Sequence, residues 1–174
     1  MSISIEVNDG EVGTALQSLY DALGNIDPVL KEIGEVLVDS TKQRFKTATA
    51  PDGTEWEDNA EVTILRYLRF KSGKTSFKKK GGLTKKGRQR FASKRPGTGE
   101  SKKLGEQIFY NVKNGVLEVG SPLIYSATFH FGAKKGQYGK GVPWGKIPGR
   151  KVVGLSKEDQ TSINDIIPRY LGFA

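Results

Sequence analysis

The chain contains no cysteine, so disulfides, thiolate metal sites and cysteine nucleophiles are all excluded. Histidine is nearly absent as well. With His130 as the only one, paired-histidine metal sites and His-dependent triads within one copy have poor support. A lone histidine near an apolar run is expected as a packed or surface residue, because the side chain needs a partner for most of its chemistry. Long hydrophobic runs are missing. The longest uncharged stretch, Val119 to Ala133, is too short and too polar for the about 20 residues that cross a bilayer. Residues 1–20 lack the basic start and apolar run of a signal peptide. The expectations are no membrane, no metal, no cofactor and a reducing compartment.

Acidic residues are scarce in one region only. From Arg66 to Lys103 there are 15 Lys or Arg and a single acid, Glu100, a local charge of +14 within a chain of net +9. The other 13 basic and 18 acidic residues leave the remainder mildly acidic. A length of 174 residues suits one domain. Residues 1–174 are therefore read as a single domain carrying a basic, Gly- and Lys-rich insert at 66–103, an extended arm or loop. Blocks of like charge repel themselves and serve as solvated tails or as arms for polyanions.

Periodicity outlines the elements. Ser2 to Val7 alternates apolar and polar as a half-buried strand does. Asp9 is placed to cap a helix with Val12, Leu16, Leu19, Tyr20 and Leu23 on its apolar face, stopped by Gly24. Asp27-Pro28 starts a second helix, with Asp27 as its cap, running to about Lys46. Its apolar side carries Val29, Leu30, Ile33, Val36, Leu37 and Phe45. Gly34 inside it costs about 1 kcal/mol and points to a close backbone contact or to simple tolerance. Pro51-Asp52-Gly53 is turn chemistry followed at once by Trp56. Asn59 is placed to cap a short helix bearing Val62, Leu65, Tyr67 and Leu68. In the insert, Gly81-Gly82, Gly87 and Pro96-Gly97 are expected to break any helix. Asn114-Gly115 between two β-rich runs predicts a hairpin. Leu123 to Phe131 reads as a short helix ended by Gly132, and a Gly-rich loop with Pro143, Trp144, Pro148 and Gly149 follows. A last helix is capped by Ser156 with Asp159 at its third position, with Ile163, Ile166, Ile167, Tyr170 and Leu171 on its apolar face and a kink expected at Pro168. The fold class is α+β, an antiparallel sheet with a hairpin packed by helices, plus a long basic loop insertion.

No catalytic set emerges. Ser72-Gly73-Lys74-Thr75 imitates the end of a phosphate-binding loop, but the glycine needed five residues before Gly73 is Leu68. Asp58 with Glu61, and Glu158 with Asp159, are acids where helix starts favour them. The expectation is no enzyme. The insert interleaves Tyr67, Phe70, Phe77 and Phe91 with basic residues. Three readings stay open for it: a solvated loop with locally packed aromatics, contact with phosphate backbones, or docking on an acidic protein surface. Lys78, Lys79, Lys80, Lys85, Lys86, Arg88 and Arg90 are the candidate contact residues. No element for base-specific reading is visible.

The order of several short motifs adds a resemblance. Arg44-Phe45 at a helix end precedes Pro51-Asp52-Gly53-Thr54-Glu55-Trp56; then come Val119-Gly120-Ser121, Tyr125-Ser126-Ala127-Thr128-Phe129-His130-Phe131-Gly132, and Ile147-Pro148-Gly149-Arg150 before Gly154-Leu155-Ser156. From about Val29 to Leu171 this series resembles the phage virion morphogenesis family, the tail-completion proteins of Mu-like phages. Phe129 stands where that family tends to have His, His130 near its Gln, and Lys151 replaces the proline after its arginine. The resemblance implies a structural subunit of the virion at the head–tail junction, made in the cytoplasm of the host bacterium. Its copies would form a neck ring, six-fold by the resemblance, with other neck and tail proteins as partners. It marks Trp56, Tyr125 and Arg150 as motif and interface candidates, with a core role for Trp56 and a surface ion pair for Arg150 as the alternatives. The competing reading is a basic nucleic-acid-binding module gripping phosphates non-specifically through residues 66–103.

Overall fold

The computed structural model describes residues 24–71, 75–98, 104–137 and 146–170, with Gly10, Gly13, Thr14, Gln17, Ser18 and Asp21 as helical positions ahead of them. The expected strand at 2–7, the apolar face of the first helix, Ser72-Gly73-Lys74, the loop with Pro143 and Trp144, and Leu171 lie outside the described residues.

The organising element is α1, Asp27–Thr47. Asp27 is not its cap. Ile26 takes that position, and the Asp27 N–H is met by the Asn25 side chain at 3.0 Å. The Asp27 carboxylate is used elsewhere: it accepts the Gly115 N–H at 3.3 Å and ties the hairpin turn to the helix start. The other end stops at Ala48, whose left-handed φ of 58° lets its N–H close on the Arg44 carbonyl.

The hairpin pairs β1, Phe109–Lys113, with β2, Val116–Gly120, in antiparallel register with Val112 opposite Leu117. Asn114 and Gly115 both have positive φ, 53° and 72°, as a two-residue turn matched to strand twist requires. Tyr110, Val112, Leu117 and Val119 form the inner face against α1, whereas Phe109, Asn111, Val116 and Glu118 face outward. Gly34 is the reason the hairpin sits so close. A Cβ there would lie 2.6 Å from the Tyr110 ring and 3.0 Å from Leu117. The close-contact alternative for Gly34 is the observed one.

Two core clusters lie along α1. At its N-terminal half, Ile26, Val29, Leu30 and Ile33 meet Ile163, Ile166 and Ile167 of the last helix. At its C-terminal half, Val38 and Phe45 meet Trp56, Leu104, Ile108 and Val152. Burying each such side chain is worth about 1.5–3 kcal/mol against exposure. The last helix, Lys157–Tyr170, keeps Pro168 within its span. Its start is the expected reciprocal cap: Asp159 N–H donates to Ser156 Oγ at 3.1 Å, and Ser156 N–H to Asp159 Oδ2 at 2.8 Å.

The insert is more structured than a loop. A helix α2, Glu61–Lys71, enters it, and a second helix α3, Lys85–Ala92, packs against α2. Gly87 lies inside α3, contrary to the expectation that glycines break any helix here. Thr84 caps α3 by accepting the Gly87 N–H at 3.0 Å, and Gly87 is required because a Cβ would lie 2.2 Å from the Ser76 carbonyl oxygen. The glycine thus serves helix packing. A tight turn bridged by Phe77 and Leu83 precedes α3, with Gly81 and Gly82 at φ of 91° and 76°. α2 begins at Glu61, two residues after Asn59. A short helix α4, Ser126–Phe131, starts later than the expected Leu123 and stops at Gly132, φ 74°. The last helix is α5. The result is α+β, with α1 carrying the hairpin and α5 and the basic insert joined at its far end.

Candidate functional site

The motif residues converge on the loop 146–155, which α1, α4 and α5 hold in place. Arg44, at the end of α1, is buried and donates to the carbonyls of Val152 and Gly154, each at 3.0 Å, and to Ser40 Oγ at 3.1 Å. It also pairs with the buried Asp159 carboxylate. Burial pushes the guanidinium below its ordinary pKa, and Asp159 counters this.

Trp56 is 7% exposed and lies edge-on to Phe45 and Phe129, with ring centroids 5.1 and 5.6 Å apart. Its indole N–H donates to the Lys151 carbonyl at 2.9 Å. Within the subunit it is a core residue with its polar tip satisfied.

Arg150 is buried and makes no ion pair among the described residues, which corrects the surface alternative. It is 5% exposed, and its Nε and NH2 donate to the carbonyls of Glu57 and Asp58 at 2.7 and 3.0 Å. Its guanidinium also stands 5.3 Å from the Phe129 ring centroid. The reason is the path of the chain: backbone oxygens of 57–58 turn inward and only a long planar donor satisfies both. The carboxylates of that segment, Asp52, Glu55, Glu57, Asp58 and Glu61, are all exposed.

His130 is buried, and its Nδ1 accepts the Val152 N–H at 3.2 Å, so the packed reading is the observed one. Burial first, and then the charge of Lys151, lowers its pKa. His130 and Ser126 line a cavity of about 20 Å³, which has room for a water but not for a substrate. Among the described residues no group of three His, Asp or Glu side chains is placed to hold a metal ion, and no helix is long and apolar enough to cross a membrane.

The surface tells a different story from the interior. Ile124 is 87% exposed and Phe131 65%, with Tyr125 also exposed beside Ile124. They sit before, at the cap of and at the end of α4. The strongly basic surface belongs to the insert. Lys78, Lys79 and Lys80 occupy the bridged turn; Lys85, Lys86, Arg88 and Arg90 lie on α3; all seven are exposed. Two of them also act internally. Arg90 donates to Thr75 Oγ1 and Ser76 Oγ at 3.0 Å each, and Arg88 to the Leu83 carbonyl at 3.4 Å. The interleaved aromatics are largely occupied: Lys94 lies 4.1 Å from the Tyr67 ring centroid and Arg69 5.9 Å from that of Phe77. Only Phe70 among them is strongly exposed.

Sequence reasoning missed two residues that organise this region. Arg44 was noted only as part of a motif, and Asp159 only as a cap. Their pairing joins residues 115 apart in the chain and leaves no local signal.

None of the curated proteins and none of the solved structures compared with the chain matches it. The model of the phage virion morphogenesis family matches residues 7–172, nearly the whole length. The chain therefore belongs to the phage virion morphogenesis family and is a phage virion assembly protein.

Proposed function

We propose that the protein is a non-enzymatic neck component, a tail-completion subunit that forms a ring at the head–tail junction and makes tails competent to join heads. The observation that carries this reading is how the motif residues are used. Arg44, Trp56, His130, Arg150 and Asp159 are all buried, and each bonds backbone that fixes a loop. They build the interior that holds the loop. Arg44 also borders a groove beside Pro51 and Glu158, but its guanidinium is already taken up by the Val152 and Gly154 carbonyls and by Asp159. What the subunit offers outward includes the exposed apolar residues Ile124, Tyr125 and Phe131 and a folded basic insert, which are means of contact. Closed rings need two different, complementary surfaces on each subunit, and the basic insert is set off from a mildly acidic remainder of the chain.

Removal of the gene from a producing phage tests the reading. Full heads and complete-length tails should accumulate unjoined, and purified protein added to the lysate should restore joined particles. Normal joining without the protein would overturn it. Tight, salt-sensitive binding of the purified protein to naked DNA, with heads and tails of the mutant still joined, would favour the phosphate-gripping module instead.

A further inference from the structure

Charge in this chain is divided about α2. Just before and at its start, Glu55, Glu57, Asp58 and Glu61 are exposed with no basic residue among them. Beyond its other end, the bridged turn presents Lys78, Lys79 and Lys80, and α3 presents Lys85 and Lys86. The contact of Arg69 with Phe77 sets the lysine turn beside the last turn of α2. Eleven helical residues span about 16 Å at 1.5 Å each. That exceeds the Debye length of about 8 Å at physiological salt, so the acidic end of α2 and the lysine turn are screened from each other across solvent. Both charged ends are also held in place. Arg150 fixes the backbone of Glu57 and Asp58, and Arg90 braces the lysine turn through Thr75 and Ser76.

We propose that the basic insert of one subunit docks on the acidic segment 55–61 of the next copy, so that subunits associate head to tail through the opposite ends of α2. The proposal rests on the ring reading above and names the contact that would close the ring. A second copy is favoured over nucleic acid on two grounds. The chain itself supplies a complementary, ordered acidic surface. Of the interleaved aromatics, Tyr67 and Phe77 are already met by Lys94 and Arg69, which leaves Phe70 as the one strongly exposed ring where a stacking platform uses several. Unlike surfaces meeting in this way make a heterologous contact, which propagates in one direction and closes if the rotation per subunit allows.

Charge exchange tests it. One variant carries Glu at Lys78, Lys79, Lys80, Lys85 and Lys86; the other carries Lys at Glu55, Glu57, Asp58 and Glu61. Each alone opposes like charges at every contact, so self-association by sedimentation should weaken about a hundredfold or more. An equimolar mixture restores opposite charges at every contact and should regain association and joining of particles. If reversal on α3 unfolds it, the variant confined to Lys78, Lys79 and Lys80→Glu carries the same test. Folded variants that fail to restore one another, or that associate as the parent does, would overturn the contact. So would a parent that holds short duplex DNA tightly and loses roughly a thousandfold in affinity between 50 and 200 mM salt. If the mixture associates but neither it nor the parent joins heads to tails, the contact stands and the neck reading falls.

Discussion

Arg44 of α1 and Asp159 of α5 form a buried ion pair in which the same carboxylate oxygen, Oδ2, also accepts the Ser156 N–H at 2.8 Å. One side chain therefore closes the cap of α5 and neutralises the charge at the end of α1. Removing one partner of such a pair strands the other charge in a dry site, which costs about 3–5 kcal/mol. Asp159→Ala is expected to lose that much, whereas Ser156→Ala, which removes only its part of the cap, should lose about 1 kcal/mol. Replacing both partners with Leu should not recover the parent, because the Val152 and Gly154 carbonyls would lose their donor. Urea unfolding of the three variants measures this. Equal losses for Asp159→Ala and Ser156→Ala would show that the cap, not the pair, dominates.

Gly34→Ala sets two effects against each other. Alanine improves helix propensity by about 1 kcal/mol. Its methyl group would stand 2.6 Å from the Tyr110 ring, so the hairpin must move away from α1. Overpacking of this kind costs about 1–3 kcal/mol, so a net loss is expected. Tyr110→Leu in the same chain should return part of it. A variant more stable than the parent would mean that the hairpin shifts freely.

Much of this fold was legible because its signals are local. The turn at Asn114-Gly115, the stop at Gly132 and the reciprocal cap of Ser156 and Asp159 each need only a few neighbouring residues. What was not legible depends on distant partners. Asp27 looked like a cap from its neighbours, yet its carboxylate belongs to Gly115. Gly87 looked like a breaker, yet it lets α3 approach the Ser76 carbonyl. Arg150 looked like a surface cation until the chain brought two inward carbonyls to it. The basic insert was evident as charge, but its folding was not, because strong self-repulsion suggests solvation and hides the packing of α3 on α2.

Trp56 was open to two readings, as a core plug or as an anchor for a neighbour. Its burial against Phe45 and Phe129 favours the first. Trp56→Ala is expected to cost about 3–5 kcal/mol, enough to unfold many domains of this size. Trp56→Phe keeps an aromatic ring but leaves the Lys151 carbonyl without its donor, a smaller loss of about 1–3 kcal/mol. Thermal melts run beside a particle-joining assay check both. A normal melt with failed joining for Trp56→Ala would return the anchor reading.

His130 gives the fold a pH dependence of definite sign. Its Nδ1 accepts a hydrogen bond from Val152, so that nitrogen must carry no proton in the folded state. Burial and Lys151 accordingly lower its folded pKa below the ordinary 6.5. Well above pH 6.5 the folded and unfolded forms are both neutral at this residue, and it contributes no pH dependence. As pH falls below that value, the unfolded chain binds a proton that the folded chain refuses, so stability declines until the lowered folded pKa is reached. The slope cannot exceed about 1.4 kcal/mol per pH unit for one group. His130→Gln lacks the titration while all carboxylates remain. Whatever the stability advantage of the parent over this variant at pH 7.5, it should shrink steadily toward pH 5. Unfolding free energies measured for both chains across that range give the difference directly. A constant difference would mean that the buried imidazole takes up its proton as readily as in the unfolded chain, with the Val152 bond broken at no cost.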